Sequence, residues 1–188
     1  MTAKIVVTQY ISLDGVIEDP VGMEGSGLGD WTGPFTRGPA GDAFKQEELE
    51  QADAMIYGRR TYDGFAAVWP AVSGDFAARM NSLPKYLASR SIRQPEWSNT
   101  TLLGADLAGS VAELKQNYQR TILIYGSASV CHELARHGLI DEYSLMVYPV
   151  ILGRGIRQFV DGTAIDLSLI ETRQFGDGIV LLRYQVKR

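Results

Sequence analysis

Ala54-Met55-Ile56-Tyr57-Gly58-Arg59-Arg60-Thr61 is a short apolar run that passes through one glycine into two arginines and a threonine. The run reads as a buried strand. Arg60 to Ala67 reads as a short helix, stopped by Trp69-Pro70. A strand that turns straight into a helix leaves the first N–H groups unpaired, and the helix dipole makes that end positive. Gly58 permits close backbone approach. Arg59 or Arg60 can grip a phosphate through two parallel hydrogen bonds, and the Thr61 hydroxyl can donate another. A solvated arginine pair beside an ordinary helix start has the same sequence, so the turn alone leaves both readings open.

A second junction of this kind follows the apolar run Thr121 to Tyr125. Gly126, Ser127, Ala128 and Ser129 open a helix that runs to about His137 and stops at Gly138. Small residues there let a diphosphate rest on the helix N-terminus, and Ser127 and Ser129 can cap the helix or bind phosphate. The stretch is neither a full dinucleotide fingerprint nor a Walker loop. Two such junctions in one open sheet lie where ligands bind, outside the carboxyl ends of the strands. Ser89-Arg90-Ser91, after the strand Lys85 to Ser89, suits a phosphate monoester or is a plain polar loop.

The other segments frame these turns. Lys4 to Ile11 reads as a strand, followed by an Asp14-Gly15 turn. Gly22 to Gly41 carries seven glycines and two prolines, so it reads as a long loop, with Trp31 and Phe35 to pack it. Asp42 to Gln51 reads as a helix capped by Asp42, and Ser73 to Ser82 and Leu107 to Tyr118 as further helices. Thr101 to Leu103 and Tyr143 to Val150 read as strands. Asp166 to Phe175 and Ile179 to Val186 form a hairpin about Gly176-Asp177-Gly178. The expected fold is α/β: one domain over residues 1–188 with a mainly parallel central sheet, antiparallel C-terminal edge strands and helices on both faces.

The chain has 188 residues, 45% of them hydrophobic, and a net charge of −4. No basic field is available for a nucleic acid, so any anion site must be local. One cysteine, Cys131, excludes an intrachain disulfide and reads as a small buried residue. No leader is apparent and no apolar run reaches about 18 residues, so neither membrane nor export is expected and the cytoplasm is the default compartment. His132 and His137 are five apart, off the spacing that shares a helix face, and no metal is expected.

Taken in order, these pieces resemble the dihydrofolate reductase-like superfamily, which includes the reductase domain of the bifunctional riboflavin-biosynthesis deaminase–reductase. The resemblance spans nearly the whole chain. It rests on Ser12-Leu13-Asp14-Gly15-Val16-Ile17, Ala52 through Thr61, Leu87-Ala88-Ser89-Arg90, Ile124-Tyr125-Gly126-Ser127, and Leu139 through Tyr143 leading to Tyr148 through Gly155, with Phe159 beyond. It implies NADPH as hydride donor. By position, Gly58, Arg59, Arg60 and Thr61 would meet the cofactor phosphates, Ser89 and Arg90 the adenosine end, and Gly126 through Ser129 the diphosphate. Ile17 and Trp31 would lie near the nicotinamide and the substrate. The chain departs from its relatives in the substrate half. Ala40 falls near the acid of dihydrofolate reductases, Tyr125 stands where the riboflavin-pathway reductases carry a substrate-binding glutamate, and Phe65 replaces an acidic residue of those reductases. Gly126-Ser127 replaces a Gly-Gly pair.

The resulting expectation is an NADPH-dependent reductase of a pterin-like, ribosylaminopyrimidine-like or other small heterocycle. The alternative is a nucleotide- or pterin-binding protein that kept the fold and lost turnover. Asp14, Asp30 and Asp42 are the candidate proton donors, and Asp14, Trp31 and Tyr125 the candidate substrate contacts. Trp31 equally suits a buried anchor for its loop. The resemblance, together with the apolar late strands, also implies a homodimer.

Overall fold

A computed structural model describes residues 2–188. Its centre is an eight-stranded sheet in the order β4-β3-β2-β5-β1-β6-β8-β7. The strands are β1 (Lys4–Ser12), β2 (Ala52–Gly58), β3 (Lys85–Ala88), β4 (Thr100–Leu102), β5 (Thr121–Tyr125), β6 (Glu142–Tyr148), β7 (Leu167–Phe175) and β8 (Ile179–Val186). β1 to β6 pair in parallel, and β8 runs antiparallel to both β6 and β7. The sheet is thus mainly parallel with its reversal confined to the C-terminal edge, as the strand spacing implies.

The two faces divide the apolar residues of each strand by alternation. On one face Ile5 and Val7 of β1 and Ile122 and Ile124 of β5 pack beneath α4 (Leu107–Gln116) and α5 (Ala128–Arg136). On the other, Val6, Met55, Tyr57 and Leu123 pack beneath α1 (Gly38–Glu50), α2 (Arg59–Val68) and α3 (Asp75–Ser82). The central strands are covered on both sides, which explains why β2 and β5 are near-continuous apolar runs.

Several boundaries differ from the sequence reading. Helix α1 begins at Gly38, with Pro39 in its first turn, so the long loop ends four residues sooner than its glycines suggest. Asp42 therefore lies inside α1 and caps nothing; the N-cap is Arg37, whose guanidinium binds the Asp42 carboxylate at 2.8 Å. Ser127 is the N-cap of α5, but its side chain makes no cap bond. Helix α4 stops at Gln116, two residues short of Tyr118, and α3 starts at Asp75. No helix among the described residues is long and apolar enough to cross a membrane.

Candidate functional site

β2 and β5 are neighbours, so the two strand-to-helix junctions arrive side by side at the carboxyl edge of the sheet. β2 passes into α2 with no intervening loop: Gly58 is extended and Arg59 is already helical. β5 turns through Gly126 and Ser127, both left-handed, at φ 57° and 59°. That conformation costs a serine roughly 1 kcal/mol, and three contacts with the other junction offset it. The Gly58 N–H donates to Ser127 Oγ at 2.6 Å, the Ser127 N–H donates to Thr61 Oγ1 at 3.1 Å, and Gly126 lies directly against Thr61. A Cβ on Gly126 would stand 2.7 Å from Thr61 Oγ1. The two halves of the expected phosphate cradle are therefore built as one unit.

The acidic segment 18–24 lies on that unit. Glu24 accepts a hydrogen bond from Thr61 Oγ1 at 2.7 Å and lies 3.8 Å from Arg60. Glu18 accepts from Arg60 at 3.1 Å. Burial, the largest influence on Glu24, raises its carboxyl above the ordinary value despite Thr61 and Arg60. The segment seats closely because α2 offers Gly64, where a Cβ would be 2.7 Å from the Met23 carbonyl oxygen. Arg59 is half-exposed and pairs with Asp63 at 3.3 Å. Ser89 and Arg90 follow β3 at the same edge of the sheet, where Ser89 Oγ accepts from Ile92 N at 3.1 Å.

Beside the junctions opens a cavity of about 580 Å³. Thr8 and Tyr10 of β1, Lys45 of α1, Phe65 of α2, Trp69, Phe76 and Met80 wall it, with Tyr125 and Gly126 at the end of β5. Its main polar feature is an ion pair the sequence reading missed. Lys45 Nζ donates to Thr8 Oγ1 at 2.7 Å and to Glu48, whose other oxygen accepts from Ser144 Oγ at 2.7 Å. Both side chains are buried, at 5% and 9% exposure. Lys45 Nζ also lies 5.0 Å from the centre of the Tyr125 ring and 5.7 Å from that of Tyr10. Tyr10 accepts from Arg37, and burial pushes its hydroxyl up to about 12.

Of the residues expected to carry chemistry, Tyr125, Thr61, Gly126 and Asp42 line this cavity. Asp42 is tied to Arg37. Asp14, Asp30, Trp31 and Ile17 are not on its wall. Trp31 is buried, with its indole N–H donating to the Glu18 carbonyl at 2.9 Å and its ring edge-on to Tyr148, so it anchors the long loop. Ile17 is part of the core beneath α5. Asp30 is exposed at φ 54°. Asp14 accepts from Ser12 Oγ at 2.7 Å and from the N–H groups of Leu152 and Gly153, pinning the turn after β1 to the loop after β6. The Ser12 bond, then the backbone bonds, lower its carboxyl to about 2, so it carries no proton to give near neutral pH. Cys131 is buried and its thiol is pushed up to about 12 by desolvation. His132 Nε2 lies 3.0 Å from the Arg157 carbonyl oxygen.

A mostly parallel sheet closed by an antiparallel hairpin, with paired helix N-termini and an apolar cleft at its carboxyl edge, defines a dihydrofolate reductase-like protein. A candidate riboflavin biosynthesis protein from Shewanella sp. PV-4 shares this fold with a TM-score of 0.77 at 21% identity, over 100% of both chains. A pyrimidine reductase-like protein from Corynebacterium diphtheriae shares it with a TM-score of 0.66 at 16% identity, over 98% of this chain and 92% of that one. Within that class the chain belongs to the RibD C-terminal domain family, whose model matches residues 3–181. The uncharacterized protein YyaP of Bacillus subtilis (strain 168) is 29% identical over 96% of this chain and 94% of its own length.

Two outcomes test these assignments. Asp14 has a folded value near 2 against an ordinary 3.8, so its contribution is complete above about pH 4 and is lost as pH falls toward 2. Thermal melts between pH 5 and 2 should show Asp14→Asn less stable than wild type at pH 5 and level with it near pH 2. Lys45→Met should cost about 3–5 kcal/mol in urea unfolding, because it strands a buried carboxylate. Lys45→Met combined with Glu48→Leu should recover at least half of that loss.

Proposed function

We propose that this chain is a nicotinamide-dependent reductase, with NADPH as its hydride donor and a small heterocyclic compound as its substrate. The observation that carries the reading is the fused pair of junctions opening onto a mainly apolar cavity. Gly126 lets the chain after β5 turn directly against Thr61, which any larger residue would strike, and so sets the N-termini of α2 and α5 side by side, where a diphosphate would lie. Membership of the RibD C-terminal domain family supports a reductase of the riboflavin-biosynthesis type.

In this reading the diphosphate lies against Gly126 to Ser129 and Gly58 to Thr61, with Arg59 and Arg60 as charge partners and the Thr61 hydroxyl released from Glu24; the Gly58 and Ser127 N–H groups stay bound within the cradle and shape it. Ser89 and Arg90 take the adenosine end. When bound, the reduced nicotinamide supplies a hydride. The apolar wall excludes water from the reacting carbon. The needed proton is held at Lys45 Nζ, the one ammonium on the cavity wall among the described residues. Thr8 and Glu48 fix its position, and the ion pair with Glu48 offsets the cost of burying it. Lys45 replaces Asp14, Asp30 and Asp42 as the proton donor in this scheme. Leu169 and Ile170, exposed on the edge strand β7, favour the homodimer reading.

NADPH should quench the protein's tryptophan fluorescence with a Kd in the micromolar range, and Gly126→Ala should weaken that binding at least tenfold. A panel of dihydrofolate, the riboflavin-pathway ribosylaminopyrimidine and simple quinones, monitored by NADPH oxidation, should reveal turnover. On the active substrate, Lys45→Arg should lower kcat by about a hundredfold and leave NADPH affinity unchanged, since a guanidinium keeps the charge but not the transferable proton. Absence of NADPH binding at physiological concentration would refute the reductase. Binding without oxidation of any substrate would favour the non-catalytic alternative.

A further inference from the structure

Among the described residues the cavity wall carries two cations, Lys45 and Arg37, and the chain matches each with a carboxylate of its own. Lys45 is bound by Glu48 within α1. Arg37 stands one residue before α1, and its guanidinium is engaged on both sides. Nε and Nη2 donate to one oxygen of Asp42, at 3.0 and 2.8 Å, and Nη1 donates to the Tyr10 hydroxyl. The Arg37 side chain is 29% exposed and that of Asp42 63%, so the carboxylate covers the arginine from the solvent side.

An arginine fork beside a substrate cavity is a ready means of holding a carboxylate or phosphate. Here Asp42 fills the fork. Asp19 and Glu24 also line the cavity, so the carboxylates on its wall outnumber the cations. Phe65, Phe76 and Met80 offer flat or soft apolar surface instead. An anion that entered would lose water without gaining a free cation, which is costly. It could gain one only by displacing Asp42, which α1 holds in place, and it would still face Asp19 and Glu24 as like charges.

We propose that Asp42 determines the specificity of the cavity: by occupying Arg37 it bars phosphorylated and carboxylated compounds and leaves a pocket for a flat, uncharged molecule. The inference rests on reading this cavity as the substrate pocket, and it narrows the small heterocycle of that reading to one without an acidic group.

The pair 1-naphthol and 1-naphthyl phosphate tests it, since the two share a ring and only the second is an anion at pH 7.5. In low-salt calorimetry 1-naphthol should bind the wild-type protein, and naphthyl phosphate should displace it at least tenfold less well than unlabelled naphthol does. Displacement reads the cavity alone, whatever phosphate the strand-to-helix junctions take up. Asp42→Asn frees Arg37 at an exposed position, and should improve displacement by the phosphate at least fivefold while changing naphthol affinity less than twofold. Arg37→Met combined with Asp42→Asn should abolish that gain. Circular dichroism melts report that each variant is folded. Displacement of naphthol by the phosphate as effective as by naphthol itself in the wild type, no binding of naphthol, no gain in folded Asp42→Asn, or a gain that survives loss of Arg37 would overturn the proposal. An NADPH titration of the same samples separates the two readings. The expected selectivity without NADPH binding keeps this proposal and removes the cofactor, and NADPH binding without the selectivity does the opposite.

Discussion

Parallel strands lying side by side deliver their following turns to the same edge, and the pairing of β2 with β5 is the constraint from which the site follows. Gly58 and Gly126 are 68 positions apart in sequence, but each lies two residues beyond the paired Ile56 and Ile124 of adjacent strands. The Gly58 N–H held by Ser127 Oγ fixes the spacing of the two helix starts, and the left-handed Ser127 is tolerated because both its hydroxyl and its N–H are used. Either helix start alone is an ordinary anion-friendly terminus. Fused, they form one unit in which the Gly58 and Ser127 N–H groups are paired internally, with Thr61, Arg59 and Arg60 at its edge.

The two strand-to-helix junctions were legible because their signals are local. Glycine after an apolar run, then small or cationic residues, marks a turn whose chemistry sits within a few positions. The cavity beside them was not, because its groups come from distant elements. Lys45 lies in a stretch rich in Gln and Glu and reads as part of a solvated helix face, yet it is buried against Thr8 from β1. A sign was present in β1 itself. Thr8 and Gln9 interrupt an otherwise apolar strand, and polar residues at buried positions demand partners. Asp42 misled for the converse reason. An aspartate ahead of a helical pattern looks like a cap, but Pro39 starts the helix earlier and Arg37 claims the carboxylate. An aromatic on a glycine-rich loop can cover a ligand or anchor the loop, and Trp31 anchors it.

The Lys45–Glu48 pair also shows why an ion pair is weak proof of stabilisation. Its attraction is set against the desolvation of two charges, and an apolar pair of similar size can do as well. What the pair provides is position. Thr8 and Ser144 hold the two ends from neighbouring parts of the sheet, so the ammonium is fixed relative to β1 and β6 rather than left on a mobile stem. A fixed charge on a mainly apolar wall can orient a ligand in a way a flexible surface lysine cannot.

The acidic segment over the junctions has a consequence of its own. Glu24 already holds Thr61, and Glu18 already holds Arg60, the same donors an incoming anion would need. A tethered carboxylate acts as an intramolecular competitor at a high effective concentration, set by chain connectivity rather than by solution composition. Any phosphate that claims these groups must first free them, so its apparent affinity is the intrinsic value reduced by the fraction of time the segment stands open. The Glu24 carboxyl, raised by burial, is easier to neutralise than a surface glutamate. Binding of a phosphate there would therefore be coupled to proton uptake and to whatever else loosens the loop that Trp31 anchors.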